Sequence, residues 1–177
     1  MIARALALVF ACGACAPGSA PLGEDGTPDT VASGELDLEG LALVDDGPFV
    51  ALEGPAIVPC GVGGVVHEGG RVEVRTRYCD PADLASVLDS ALPAGTMVEL
   101  ELSHDPLLAD GGDVHLALVI GDEVVWELER ALPTAADFFH ERVPLARDHG
   151  AGERVVVHVH NHGANSYSLH GVRFGPP

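Results

Sequence analysis

The chain has 177 residues and is 47% hydrophobic, enough for one domain with a buried core and short of what two full domains need. It carries 27 acidic residues against nine basic ones, all of them Arg, for a formal charge of -18. That balance excludes nucleic acid as a partner, because neutralising phosphates needs a basic face this chain cannot assemble.

In chain order the first feature is an address. The opening MIARALALVFACGACAPGSAP has one positive charge at Arg4, an apolar run from Ala5 to Ala11, then small residues and Pro, the layout of a secretory signal. The run is too short to span a bilayer permanently. Within it, VFACGAC resembles a lipobox, in which an aliphatic residue three before a Cys and a small residue just before it lead to lipid attachment and cleavage there. The resemblance implies a bacterial lipoprotein modified at Cys12 or Cys15. The local pattern favours Cys12, with Val9 and Ala11 in the preferred places, whereas parity favours Cys15, because cleavage there leaves Cys60 and Cys79 as an even pair. Neither candidate is followed by Asp, which by analogy with lipoprotein sorting points to the outer membrane; the alternative is secretion, or release to the periplasm, without lipid. An exported chain meets an oxidising compartment, so Cys60 and Cys79 can form a disulfide that closes a loop of about 20 residues and stabilises by roughly 3 kcal/mol. Neither Cys has the C-x-x-C spacing of a redox pair.

Residues 16–47 are dominated by Gly, Pro, Ala, Ser, Asp and Glu, and no Arg stands between Ala5 and Gly70. They read as an acidic tether between a signal peptide at 1–15 and a domain at 48–177. No D-x-D-x-D-G pattern organises the carboxylates, so the tether is a solvated spacer and not a calcium loop. Leu36, Leu38, Leu41 and Leu43 could dock part of it as an edge strand.

After Pro48 short alternating runs are separated by Gly, Pro and Asp, as in an all-β sandwich. RVEVRTRYC sends Val72, Val74, Thr76 and Tyr78 to one face and Arg71, Glu73, Arg75 and Arg77 to the other. TMVELELSH places Val98, Leu100 and Leu102 inward, with His104 at the same parity. DVHLALVIGDEVVWELE reads as a hairpin turning at Gly121-Asp122, with Trp126 sharing the core parity of Val124 and Leu128. DFFHERVPL, ERVVVHVH and SYSLHGVRF supply further strands. Only DPADLASVLDSAL opens like a helix, with Asp80 as N-cap and Pro81 in the first turn. About eight to ten strands in roughly 130 residues predict an antiparallel two-sheet sandwich of jelly-roll type.

HVHNHGANSYSLHG sets His158, His160 and His162 on one face of a strand, with Val155, Val157 and Val159 on the other. Residues two apart lie about 6.6 Å apart at Cα, within reach of one zinc or copper ion, and His104, His115, His170 or an acidic side chain on a neighbouring strand could complete the shell. Gly152, His158 and His160 imitate the G-x5-H-x-H half of a cupin metal motif, but no Glu follows at the expected distance and the chain after His170 is too short for the second half. The competing reading is architectural. Asn161, Gly163 and Asn165 are turn formers, and His and Asn side chains there can satisfy backbone groups as the strand ends.

RYC at 77–79, LSHD at 102–105, VVWELE at 124–129 and HVHNHGANSYSL at 158–169 together resemble a group of bacterial lipoproteins from high-GC genomes with no assigned activity. The resemblance covers most of residues 60–174. It implies an envelope protein with this one domain and brings no substrate or catalytic residue. The sequence contains no G-x-S-x-G elbow, H-E-x-x-H or phosphate-cradling Gly loop, so no catalytic residue can be named. The expectation is an outer-membrane lipoprotein whose β-sandwich has a structural or ligand-binding, non-catalytic role and needs no cofactor, with an envelope protein or a glycan as partner. One Trp and two Tyr leave little for a broad stacking platform; Tyr167 and Phe139 could contribute, but strand parity suits either equally to the core. The alternative is a zinc- or copper-binding sandwich, and possible metal-dependent enzyme, built on the histidine row.

Overall fold

The alternating runs pair into two antiparallel sheets in the computed structural model, which describes residues 33–49, 58–108, 112–161 and 163–176. The strands are β1 (Gly34–Glu35), β2 (Ala42–Val44), β3 (Val65–Glu68), β4 (Arg71–Arg75), β5 (Ala82–Val87), β6 (Met97–His104), β7 (Asp113–Ile120), β8 (Glu123–Ala131), β9 (Asp137–Pro144), β10 (Arg154–Asn161) and β11 (Ser166–Gly175). One sheet runs β3-β4-β11-β6-β9 with β1 added along β11, and the other runs β2-β5-β10-β7-β8. From β4 to β11 the chain changes sheet at every connection except the β7–β8 hairpin, which gives the orders β4-β11-β6-β9 and β5-β10-β7-β8. That is the two-Greek-key arrangement of an eight-stranded jelly roll, the fold class predicted from the alternation. Among the described residues no helix is long and apolar enough to cross a membrane.

The core lies between the inward faces. Val72 and Val74 of β4, Val98, Leu100 and Leu102 of β6, Leu116 and Leu118 of β7, and Val155, Val157 and Val159 of β10 are all buried, each at the parity the sequence assigns. The outward face of β10 is buried too. Val156 packs with Ala85, Ala117, Val119 and Phe49 in a second, smaller apolar cluster, because the chain around Phe49 lies across this sheet.

Several expectations are corrected. DPADLASVLDSAL contains no helix; β5 sits between β2 and β10, where ladder pairing on both sides overrides a helical opening signal. The sandwich also begins before residue 48. β1 joins β11 and β2 joins β5, with Leu36, Leu38 and Leu41 buried and Leu43 40% exposed. Tyr78 does not continue the inward face of β4, because the strand ends at Arg75 and a turn, closed by Tyr78 N–H donating to the Arg75 carbonyl at 2.8 Å, carries the ring outward. In β8 the register with β7 shifts between Leu118 and Val119, which leaves Val124 47% exposed while Val125 is buried and Trp126 packs against the core. Cys12 and Cys15 lie outside the described residues.

Candidate functional site

Three loops meet at one end of the sandwich. The turn after β4 brings Arg75, Arg77 and Tyr78, the exit of β6 brings Asp105, and the entry to β11 brings Asn165 and Ser166; together they line a cleft of about 310 Å³. These are the RYC, LSHD and NHGANSYS segments, which the fold gathers from distant stretches of the chain. Tyr78 is 44% exposed, and the Arg77 guanidinium lies 5.6 Å from its ring centre. Arg75 is committed to Glu73 through Nε–Oε1 at 3.0 Å and Nη2–Oε2 at 2.9 Å, and this pairing holds the Glu73 carboxyl below its usual range.

The loop that carries Tyr78 is fixed from behind. Cys60 and Cys79 form the disulfide foreseen from the sequence. Gly61 N–H donates to the Tyr78 carbonyl at 2.9 Å, and Val58 and Asp80 exchange backbone hydrogen bonds at 2.9 Å each. Gly64 approaches so closely that a Cβ there would stand 2.6 Å from Cys79 Cβ and 2.9 Å from the Tyr78 carbonyl oxygen, so a side chain cannot be accommodated.

A buried polar network meets the cleft at Asn165. Thr76 Oγ1 donates to the Gly163 carbonyl and accepts from Asn165 N–H at 2.9 Å and Asn161 Nδ2 at 3.3 Å. Asn161 Nδ2 also donates to the Gly163 carbonyl at 3.3 Å. Asp80 Oδ1 accepts from His160 Nδ1 at 2.9 Å and from the Asn161 backbone N–H at 3.0 Å. Tyr167, buried beside these groups, has its phenol pushed well above the usual range by desolvation and then by the charge of Asp80.

The histidines singled out in the sequence are spread over the molecule. His158, 0% exposed, donates from Nδ1 to Asp83 Oδ1 at 2.8 Å, and Asp83 is itself 3% exposed. His158 and His115 lie with ring centres 4.9 Å apart, each 4.7 Å from Phe49, and His115 Nε2 meets Glu127 Oε1 at 2.9 Å. His160 is held by Asp80. His104 belongs to the other sheet and donates from Nδ1 to the Asp105 carbonyl at 2.7 Å. His170 stands on that sheet's outer face, 2.8 Å from Ser103 Oγ and beside the Phe138 ring. His162 lies outside the described residues.

Among the described residues, the cluster with metal-type ligands close together is a different one, Glu99, Glu101 and His140, with ligand atoms within 4.8 Å of one another. Its members are already engaged. Glu101 Oε1 accepts from Arg173 Nη1 at 2.9 Å, and Glu99 pairs with His140.

The sequence allows for an acidic side chain on a neighbouring strand beside the histidines but does not single out Asp83 and Asp80, which hold them. Asp80 stood out only as a helix cap, and Asp83 carried no pattern at all, because each finds its histidine through the β5–β10 pairing. Of the two positions the alternation left open, Tyr167 and Phe139 are both buried, while Tyr78, expected on the inward face, faces solvent.

No protein-family model matches the sequence, and no curated protein does. Solved structures of similar fold include one described as "CBM4 structure and function", 10% identical over 68% of this chain and 80% of that one, with a TM-score of 0.45. A second is TmCBM61 in complex with beta-1,4-galactotriose, 13% identical over 82% of this chain and 88% of that one, with a TM-score of 0.41. A third is the C-terminal CBM6 of LamC from Zobellia galactanivorans, 13% identical over 81% of this chain and 99% of that one, with a TM-score of 0.39. At these identities the likeness is one of fold, and the strand order described above defines that fold independently.

Proposed function

We propose that the protein is an exported, lipid-anchored, non-catalytic binding domain that takes a glycan in the loop-end cleft. The observation that carries this reading is Tyr78, an exposed ring beside the Arg77 guanidinium on a loop fixed by a disulfide, next to Asp105, Asn165 and Ser166. A sugar ring stacks its C–H face on an aromatic and offers hydroxyls to planar polar side chains, and a pre-fixed loop lowers the ordering cost of binding. The acid–base pairs His158–Asp83 and His160–Asp80 are buried, which suits them to holding strands together. Export is supported by the signal-like N-terminus and by the Cys60–Cys79 disulfide, which uses both of those sulfurs and leaves lipid attachment to Cys12 or Cys15.

Titration calorimetry with soluble β-1,4-galactan, mannan and laminarin tests the binding reading. Binding by the wild type and a loss of about 30-fold in Tyr78→Ala support it; no binding to any of a broad glycan panel removes it. Labelling with radioactive palmitate in Cys12→Ser and Cys15→Ser variants tests the anchor, with the label lost in one variant only.

A second reading keeps one specific observation. His158 and His160 both present Nδ1 to a buried carboxylate, the arrangement that orients metal-ligating imidazoles. His115, with its ring centre 4.9 Å from that of His158, is the described imidazole beside them. Metal analysis of protein purified without a His-tag separates the readings: one equivalent of zinc or copper that disappears in the His158→Ala, His160→Ala double variant would transfer the function to the histidine row.

A further inference from the structure

Among the described residues, four buried side-chain atoms have no hydrogen-bond partner: His104 Nε2, Asn161 Oδ1, Asn165 Nδ2 and the Tyr167 hydroxyl. They form two pairs linked through Asp80, whose charge acts on Tyr167 and whose Oδ1 accepts from the Asn161 backbone N–H. His104 and Tyr167 are direct cross-strand partners of β6 and β11, with ring centres 5.7 Å apart, both at the inward parity of Leu102 and Leu169. Asn161 continues the inward row Val155, Val157, Val159 from the opposite sheet, and its side chain is 0% exposed. Asn165 closes the group from the cleft side, sharing Thr76 Oγ1 with Asn161.

The hydrogen-bonding character of each atom is fixed by what its neighbour does. The Asp105 carbonyl can only accept, so His104 Nδ1 carries a hydrogen, and in that tautomer Nε2 presents a lone pair. The Gly163 carbonyl likewise demands the NH2 group of Asn161, which leaves Oδ1 as an acceptor. Asn165 Nδ2 is a donor, and the Tyr167 hydroxyl is both. Bare acceptors repel an anion, and the amide and phenol hydrogens repel a cation. A neutral O–H group complements them. A water, with two hydrogens and two lone pairs, can serve both bare acceptors and both donors. An alcohol hydroxyl can donate to one of the two acceptors while accepting from the donors, and native interiors seldom leave such atoms unpaired.

We propose that His104, Asn161, Asn165 and Tyr167 form an internal binding site for a neutral hydroxyl that donates and accepts at once. Its source is an ordered water in the free protein or the hydroxyl of a molecule seated in the adjoining cleft. The site stands independently of the glycan reading, since water alone satisfies it.

The sign of one substitution tests it. With a guest hydroxyl bound, Tyr167→Phe breaks a hydrogen bond and lowers the thermal midpoint by about 2–4 °C. With no guest, the same change removes an unsatisfied buried hydroxyl and the midpoint rises, which overturns the proposal. A high-resolution crystal structure of the full protein gives the second readout: an oxygen within about 3.2 Å of at least two of the four atoms is expected. Four atoms paired among themselves, with no such oxygen, would overturn it as well. Soaking the crystals in glycerol distinguishes the sources. A glycerol hydroxyl replacing the oxygen assigns the site to cleft ligands, and an unchanged oxygen assigns it to sealed water.

Discussion

The carboxylate of Asp80 lies 2.9 Å from His160 Nδ1, both side chains buried, and the same oxygen takes the Asn161 backbone N–H at 3.0 Å. One acidic residue thereby ties the loop entering β5 to the end of β10. Asp80→Ala leaves an imidazole and a backbone N–H without their acceptor in the interior, so a loss of about 3 kcal/mol in urea unfolding is expected. Asp80→Asn keeps an acceptor oxygen and should cost clearly less. Equal costs would show that the pairing contributes nothing specific.

The Cys60–Cys79 bridge closes a separation of 19 residues and holds the Tyr78 loop. Replacing both cysteines with Ser should lower stability by about 3 kcal/mol in the chain-entropy model. Fluorescence or NMR of Tyr78 should report a more mobile ring, and any ligand affinity should fall with it. Retention of full affinity in the reduced protein would mean that the backbone hydrogen bonds alone position the loop.

Gly47 passes over Asp83 so tightly that a Cβ there would fall 1.9 Å from Asp83 Oδ2. Asp83 cannot yield freely, because its other oxygen accepts from His158. Gly47→Ala should therefore destabilise by about 1–3 kcal/mol and loosen the chain around Phe49. A hydrogen-exchange experiment showing faster exchange on β5 and β10 than on β6 and β11 would confirm where the disturbance lands.

Acid should weaken the fold through a defined set of groups. Arg75 beside Glu73, Arg130 beside Asp137 and Arg173 beside Glu101 hold these carboxyls below their usual values, as does the Gly150 N–H together with His149 for Glu153. A depressed folded value means that the stabilisation is fully present above the unfolded value near 4 and is lost as pH falls through the folded one. Urea midpoints should be level in this respect above about pH 5 and decline below about pH 4. Glu73→Gln should flatten part of that decline, and added salt should reduce the exposed pairs' share.

Period-two alternation made the fold legible. Val72/Val74, Val98/Leu100/Leu102 and Val155/Val157/Val159 face the core as the sequence predicts, because half-buried strands print their burial on every second residue. The misreadings lie where tertiary pairing decides. DPADLASVLDSAL opens like a helix, yet β5 has a partner on either side. The bulge opposite Leu118/Val119 moves Val124 out of the core by one residue, and nothing local announces it. The site was legible only as three separate motifs. Their meeting at one cleft depends on β4, β6 and β11 lying side by side, and strand order is not written in hydrophobic spacing.

The entry of the chain into the fold has a mechanical consequence. β1 joins β11 in one sheet and β2 joins β5 in the other, with Leu36, Leu38 and Leu41 seated between them. Tension arriving along the chain from the N-terminal side would load the β1–β11 pairing first and reach β2 and β5 only once Leu36, Leu38 and Leu41 are drawn from the core. The two layers would therefore resist one after the other.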